Sequence, residues 1–164
     1  MRWPRRTGTR LSLALMWVVD AVRYALFPTQ GEVRGVRIIL LHERRVLLVS
    51  HWYAPWVWTL PGGGVKKNEI PEKAAMREAR EETGLTVRSL AGRIGLYEGR
   101  WGKRDMIAVF YSGDIEGSLS LTPNIEIMSR SWFDIDHLPE ELARAHGRRI
   151  EAYRAGIRNE KGVW

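Results

Sequence analysis

The 164 residues contain no cysteine, which excludes disulfides and thiolate metal sites alike. Histidine is scarce too, with four residues against 19 Asp and Glu. A metal would therefore rest on carboxylates, carbonyls, imidazoles or water, and the carboxylate surplus favours a hard cation, Mg²⁺ with Mn²⁺ as the second choice. No apolar run reaches the roughly 20 residues of a spanning helix; Leu11–Val19 is interrupted by Ser12 and ended by Asp20. Internal repeats and low-complexity linkers are absent, so the length reads as one globular domain.

The net charge of +7 is concentrated at the two ends. Arg2, Arg5, Arg6 and Arg10 have no acidic counterpart, and the stretch 144–164 is basic as well, whereas 11–143 is nearly neutral. A basic balance held in the ends does not describe a nucleic-acid surface, and no specific nucleic-acid partner is expected. Leu11, Leu15, Val18, Val22 and Leu26 recur at helical spacing before Pro28. They predict a basic amphipathic helix over 1–30 that packs on the domain or, through residues 1–28, touches an anionic membrane surface. A basic start before a short apolar stretch imitates a signal peptide, but no small-x-small cleavage site follows. The expected location is cytoplasmic, with membrane association and a homodimer as open alternatives.

Val33–Leu41 and Val46–Ser50 are β-branched, apolar runs around the polar segment 42–45 and predict a hairpin. Residues 51–58 suggest a loop and a short strand, and Gly62, Gly63 and Gly64 a tight turn with backbone open to close approach. Pro71 and Gly84 bracket a helix over 71–83. Leu85–Tyr97, Met106–Tyr111 and Ile125–Phe133 read as strands, and Pro139–Arg154 as a second helix. The order predicts an α/β fold with a mixed sheet sandwiched between helices.

On the predicted helix Glu78, Glu81 and Glu82 fall at i, i+3 and i+4 and share one face. Most acidic helix faces are simply solvated. Here Arg77 and Arg80 interleave with the acids, and Glu69 and the glycine turn lie just upstream. An acidic cluster beside exposed backbone is what a divalent cation and a phosphate chain require.

The stretch GGVKKNEIPEKAAMREAREETGL resembles the box of the Nudix hydrolases, G-x5-E-x7-R-E-U-x-E-E-x-G-U with U a bulky or aliphatic residue. Gly63, Glu69, Arg77, Glu78, Glu81, Glu82 and Gly84 are in register, with Ala79 and Leu85 at the U positions. The runs Trp58–Gly64 (W-x-L-P-G-G-G) and Trp132–Pro139 (W-F-x-x-x-x-L-P) resemble the family too. The resemblance implies a Nudix domain over 31–158, followed by a tail over 159–164, and a MutT-like, Mg²⁺-dependent pyrophosphohydrolase acting on a nucleoside diphosphate derivative. It implies Glu78, Glu82 and the Gly62 carbonyl as metal ligands, and Glu81 as a further ligand or the base. Arg77 would pair with Glu69 to brace the loop against the helix. Glu126, ahead of Trp132, is the rival base. Lys66, Lys67 and Asn68 replace the more usual acidic-x-Gly, and Asn tolerates the left-handed backbone expected there.

Gly63, Gly64 and Trp58 are expected at the substrate, with Trp58 one of several aromatics able to stack on a base. No Ser-Gln-Pro-Trp-type run occurs, and no proline lies between Pro71 and Pro123. Both absences disfavour the NADH- and ADP-ribose-cleaving relatives and point to a nucleoside triphosphate or modified nucleotide. Two alternatives stay open: a regulatory domain that binds nucleotide without turnover, and a membrane-recruited hydrolase of lipid-linked diphosphates.

Overall fold

The computed structural model describes Val18 and residues 33–99, 102–120 and 126–164. The predicted helix over 1–30 and its membrane contact lie outside these residues, apart from Val18, which is helical and exposed. Among the described residues no helix is long and apolar enough to cross a membrane.

Strands β1 (Val33–His42) and β2 (Arg45–His51) form the expected hairpin, closed by the pairs Leu41↔Val46 and His42↔Arg45. Its two-residue turn requires positive φ, which Glu43 adopts at 54°. β3 (Ala54–Thr59) and β8 (Ile127–Asp134) both run antiparallel to β2. β6 (Gly102–Ser112) lies parallel to β1, and β5 (Gly92–Gly99) antiparallel to β6. The sheet is therefore mixed.

Helix α1 (Pro71–Thr83) covers one face and α2 (Arg144–Arg154) belongs to the other. Ala74, Ala75 and Ala79 are fully buried against Val36, Ile38, Leu40 and Leu47, the small side chains letting the helix approach the strands closely. Ile39, Val46 and Leu48 point the opposite way and pack with Ile150 and Ala152 of α2. Period-two alternation along β1 and β2 thus feeds two cores and gives the α/β/α sandwich. Each fully buried Ile, Leu or Val contributes about 1.5–3 kcal/mol.

Three expectations change. Leu85–Tyr97 is not one strand: β4 (Thr86–Val87) leaves the main sheet to pair with β7 (Ile115–Glu116). The link to β5 is held by Arg88 N–H to the Asp114 carbonyl and Ser112 Oγ to the Ser89 carbonyl. The second helix begins at Arg144 rather than Pro139, because Trp58 of β3 bonds the backbone of Glu141 and Ala143 and keeps that stretch extended. The supposed tail over 159–164 is a strand, β9 (Glu160–Val163), parallel to β5. Side chains explain its docking, since Tyr97 Oη donates to Glu160 Oε2 at 2.9 Å and the Trp164 ring meets those of Tyr97 and His146.

Candidate active site

The polypeptide from Pro61 to Val65 runs antiparallel alongside β1 and faces α1. Val36 N–H donates to the Gly63 carbonyl, Ile38 N–H to that of Pro61, and Val65 N–H to that of Arg34, each at 2.9 Å. Gly62 holds φ of 145°, a conformation that disfavours any side chain, and a Cβ there would lie 2.1 Å from the Val36 carbonyl oxygen. Asn68 takes the left-handed conformation expected of it, at φ of 63°.

Glu82 is 1% exposed. Its Oε2 accepts the Gly62 N–H at 2.8 Å, while Oε1 is buried with no hydrogen-bond partner. The His51 imidazole lies beside it, with Nε2 at 3.7 Å from Oε1. Glu78 is also buried and lies against Gly63, where a Cβ would sit 2.5 Å from its Oε1. The absent side chain of Gly63 is the space that the Glu78 carboxylate occupies. Glu81, by contrast, is about half exposed (46% of its side chain), with Lys66 Nζ 3.8 Å away.

Arg77 ties these groups together. Its Nε and Nη2 donate to the two Glu69 oxygens at 2.8 and 2.9 Å, the expected pair, and Nη2 also reaches the Gly64 carbonyl. Nη1 donates to Glu78 at 2.8 Å and Glu81 at 3.0 Å. The hydrogen bond from Arg77 holds the Glu69 carboxyl below its usual range, and the same bond raises the Arg77 guanidinium. Among the described residues no three His, Asp or Glu side chains form a ready metal centre. The guanidinium stands between Glu78 and Glu81 instead. A buried carboxylate oxygen with no donor is costly unless a cation supplies the missing interaction. The unpartnered Glu82 Oε1 and the carboxylate surplus around it fit a hard divalent ion.

The remaining predicted residues divide. Glu126 precedes β8, and its carbonyl accepts the Trp52 N–H at 3.1 Å. This puts it at the same end of the sheet as His51, which pairs with Ile127. Trp58 is drawn elsewhere: its ring meets Phe133 edge-on at 4.9 Å within the α2-side core, opposite the carboxylate helix. The sequence suggested a place for it at the substrate; in the fold, strand alternation turns its side chain to the α2 face.

Several groups had no signal in the motif. His51 is one. Arg130 of β8 donates through Nε to the Glu82 backbone carbonyl, and its burial lowers its own pKa. His146 of α2 accepts the Leu60 N–H at 2.9 Å through Nδ1. Arg130 and His51 come from β8 and β2, which pair with each other, and only that pairing brings them to Glu82.

A profile of the NUDIX domain matches residues 31–154. With the box geometry described above, the chain belongs to the Nudix family and is a MutT-like pyrophosphohydrolase. A Bacillus subtilis (strain 168) protein carrying the provisional name 8-oxo-dGTP diphosphatase is 32% identical over 127 residues, 77% of this chain and 83% of that one. The ADP-ribose pyrophosphatase of Methanocaldococcus jannaschii is 29% identical over 150 residues, 89% and 86% of the two chains. Among solved structures, the MutT NUDIX hydrolase from Burkholderia pseudomallei is similar with a TM-score of 0.63 at 25% identity, over 74% of this chain and 98% of that one. Nudix hydrolases generally act with divalent metal ions, and these two relatives are named for 8-oxo-dGTP and ADP-ribose.

Proposed function

We propose that this enzyme is Mg²⁺-dependent and cleaves the diphosphate bond of a nucleoside triphosphate or modified nucleotide. The observation that carries the reading is Glu82: a buried carboxylate with one oxygen fixed by the Gly62 amide and the other without a donor. Glu82, Glu78 and the Gly62 carbonyl would hold the ion, with Glu81 at its margin. A bound divalent ion neutralises diphosphate charge and promotes attack of water on phosphorus.

The chain's own residues do the rest. Arg77 fixes Glu69 and the Gly64 carbonyl and so braces the turn against α1. Its Nη1 bridges Glu78 and Glu81, and a divalent cation would compete with the guanidinium for those carboxylates. Gly63 and Gly64 offer backbone unshielded by side chains to the phosphate chain. Proton removal from water falls to Glu81, which is half exposed, or to Glu126, at the His51 end of the sheet. Bacillus and Methanocaldococcus relatives named for 8-oxo-dGTP and ADP-ribose support a nucleoside diphosphate core in the substrate.

The test is a panel of nucleoside triphosphates, modified nucleotides and dinucleoside diphosphates assayed with Mg²⁺, with Glu82→Gln in parallel. Turnover should fall by about 10²–10³-fold in the variant, as for removal of one transition-state charge stabiliser. No turnover by the wild-type protein on any member would sink the reading. Glu81→Gln and Glu126→Gln, compared in kcat, identify the base.

A further inference from the structure

The glycine turn is held from two sides of the sheet, and only one of them belongs to the box. From the α1 side, Glu82 accepts the Gly62 amide. From the α2 side, His146 Nδ1 accepts the amide of Leu60, two residues earlier. Leu60 is 1% exposed and His146 6%, so neither group exchanges this bond for water. A buried amide left without its acceptor is costly, which makes the bond a strong constraint on backbone direction. Between the two anchors Pro61 has no N–H to offer, and its carbonyl is already taken by Ile38. Little slack therefore separates the His146 anchor from the Glu82 anchor.

His146 is itself held firmly. Its ring meets Trp164 edge-on at 5.0 Å, and Arg149 lies over both the Tyr97 and the Trp164 rings. Burial, with the nearby charges of Arg37, His51 and Arg149, keeps the imidazole neutral, so that Nδ1 can accept. Accepting at Nδ1 places the proton on Nε2.

From this we infer that His146 is a positioning residue for the metal-binding turn: it aims the Leu60–Gly62 backbone so that the Gly62 amide meets Glu82. The inference rests on the assignment of Glu82 and Gly62 to the metal made under Proposed function, but the bond it depends on can be read without a metal.

Three variants separate positioning from mere stability. His146→Leu keeps bulk and removes the acceptor, His146→Asn restores an acceptor in the Nδ1 position, and Ile150→Val trims the same helix without touching the bond. In the metal-free proteins, amide hydrogen exchange at Leu60 and Gly62 is followed by NMR; in parallel, Mn²⁺ binding is titrated by EPR. His146→Leu should speed exchange at both amides by at least about tenfold and weaken Mn²⁺ binding by about tenfold, the worth of one buried hydrogen bond. His146→Asn should return both to within about threefold of wild type, and Ile150→Val should move neither by more than its global loss of stability accounts for. Equal shifts in His146→Leu and Ile150→Val, or an unchanged Gly62 amide in His146→Leu, would overturn the inference. Faster Gly62 exchange with unchanged Mn²⁺ affinity would instead refute the metal assignment and leave the positioning of the turn intact.

Discussion

A methyl group on Gly62 would lie 2.1 Å from the Val36 carbonyl oxygen, and one on Gly63 would lie 2.5 Å from Glu78 Oε1. The first obstacle is backbone in the middle of the sheet, and Gly62 also sits at φ of 145°. The second is the end of a side chain that can swing away. Gly62→Ala should therefore lower stability by about 2–4 kcal/mol, read by chemical denaturation. Gly63→Ala should leave the unfolding midpoint nearly unchanged while displacing Glu78 and reducing turnover by about 10–100-fold, the range seen when a metal site's supports are lost. A common loss of stability in both variants would mean that Glu78 cannot yield. At this scale the sequence was most legible where the box fixes spacing, as for Glu69, Arg77, Glu78 and Glu82. It was silent on His146, because nothing local connects residue 146 with the amide of residue 60; that contact exists only after α2 docks on the sheet.

Secondary structure was legible in the same uneven way. Helix α1 announced both ends, with Pro71 at its first position and Gly84 closing it at φ of 82°, where the Gly84 N–H donates to the Arg80 carbonyl. The division of Leu85–Tyr97 into β4 and β5 was not readable. The run is apolar enough for one strand, and what splits it are bonds to Ser112 and Asp114, more than 20 residues further on. The helix start at Arg144 was hidden for a similar reason, the competing backbone pairing with Trp58. One weakness of α1 can be corrected. Its N-cap residue Ile70 has extended φ and ψ, is 53% exposed and makes no side-chain cap. Ile70→Ser should supply the missing acceptor for a first-turn amide and add about 1 kcal/mol of stability. The melting temperature would then rise by about 2–4 °C for a domain of this size. A lower melting temperature would mean that Ile70 contributes more by its apolar contacts than a cap returns.

Across the whole molecule, titration links the two faces of the sheet. His146 is buried and its folded-state pKa lies well below the ordinary 6.5, burial being the chief cause. Unfolding releases it to take up a proton, so its neutral form favours the fold fully above about pH 6.5, and that contribution is lost as pH falls below this value. Glu69 has its folded-state pKa lowered from 4.5 by the Arg77 hydrogen bond. Its contribution is complete above about pH 4.5 and is lost as pH falls through the lowered value. Stability should thus decline on acidification in two stages, the first governed from the α2 face and the second from the α1 face. Melting temperatures measured from pH 8 to well below pH 4 should show this, and His146→Asn should flatten the upper stage while leaving the lower one. The β9 strand belongs to the first stage, since Trp164 and the Val163 carbonyl hold the ring and the Arg149 guanidinium beside His146. Ending the chain at Asn159 should therefore lower the melting temperature at pH 7.5 and shrink its further fall between pH 6.5 and 5, because water then reaches His146 and its pKa returns toward normal. An undiminished upper stage in the truncated chain would place the titration on another group.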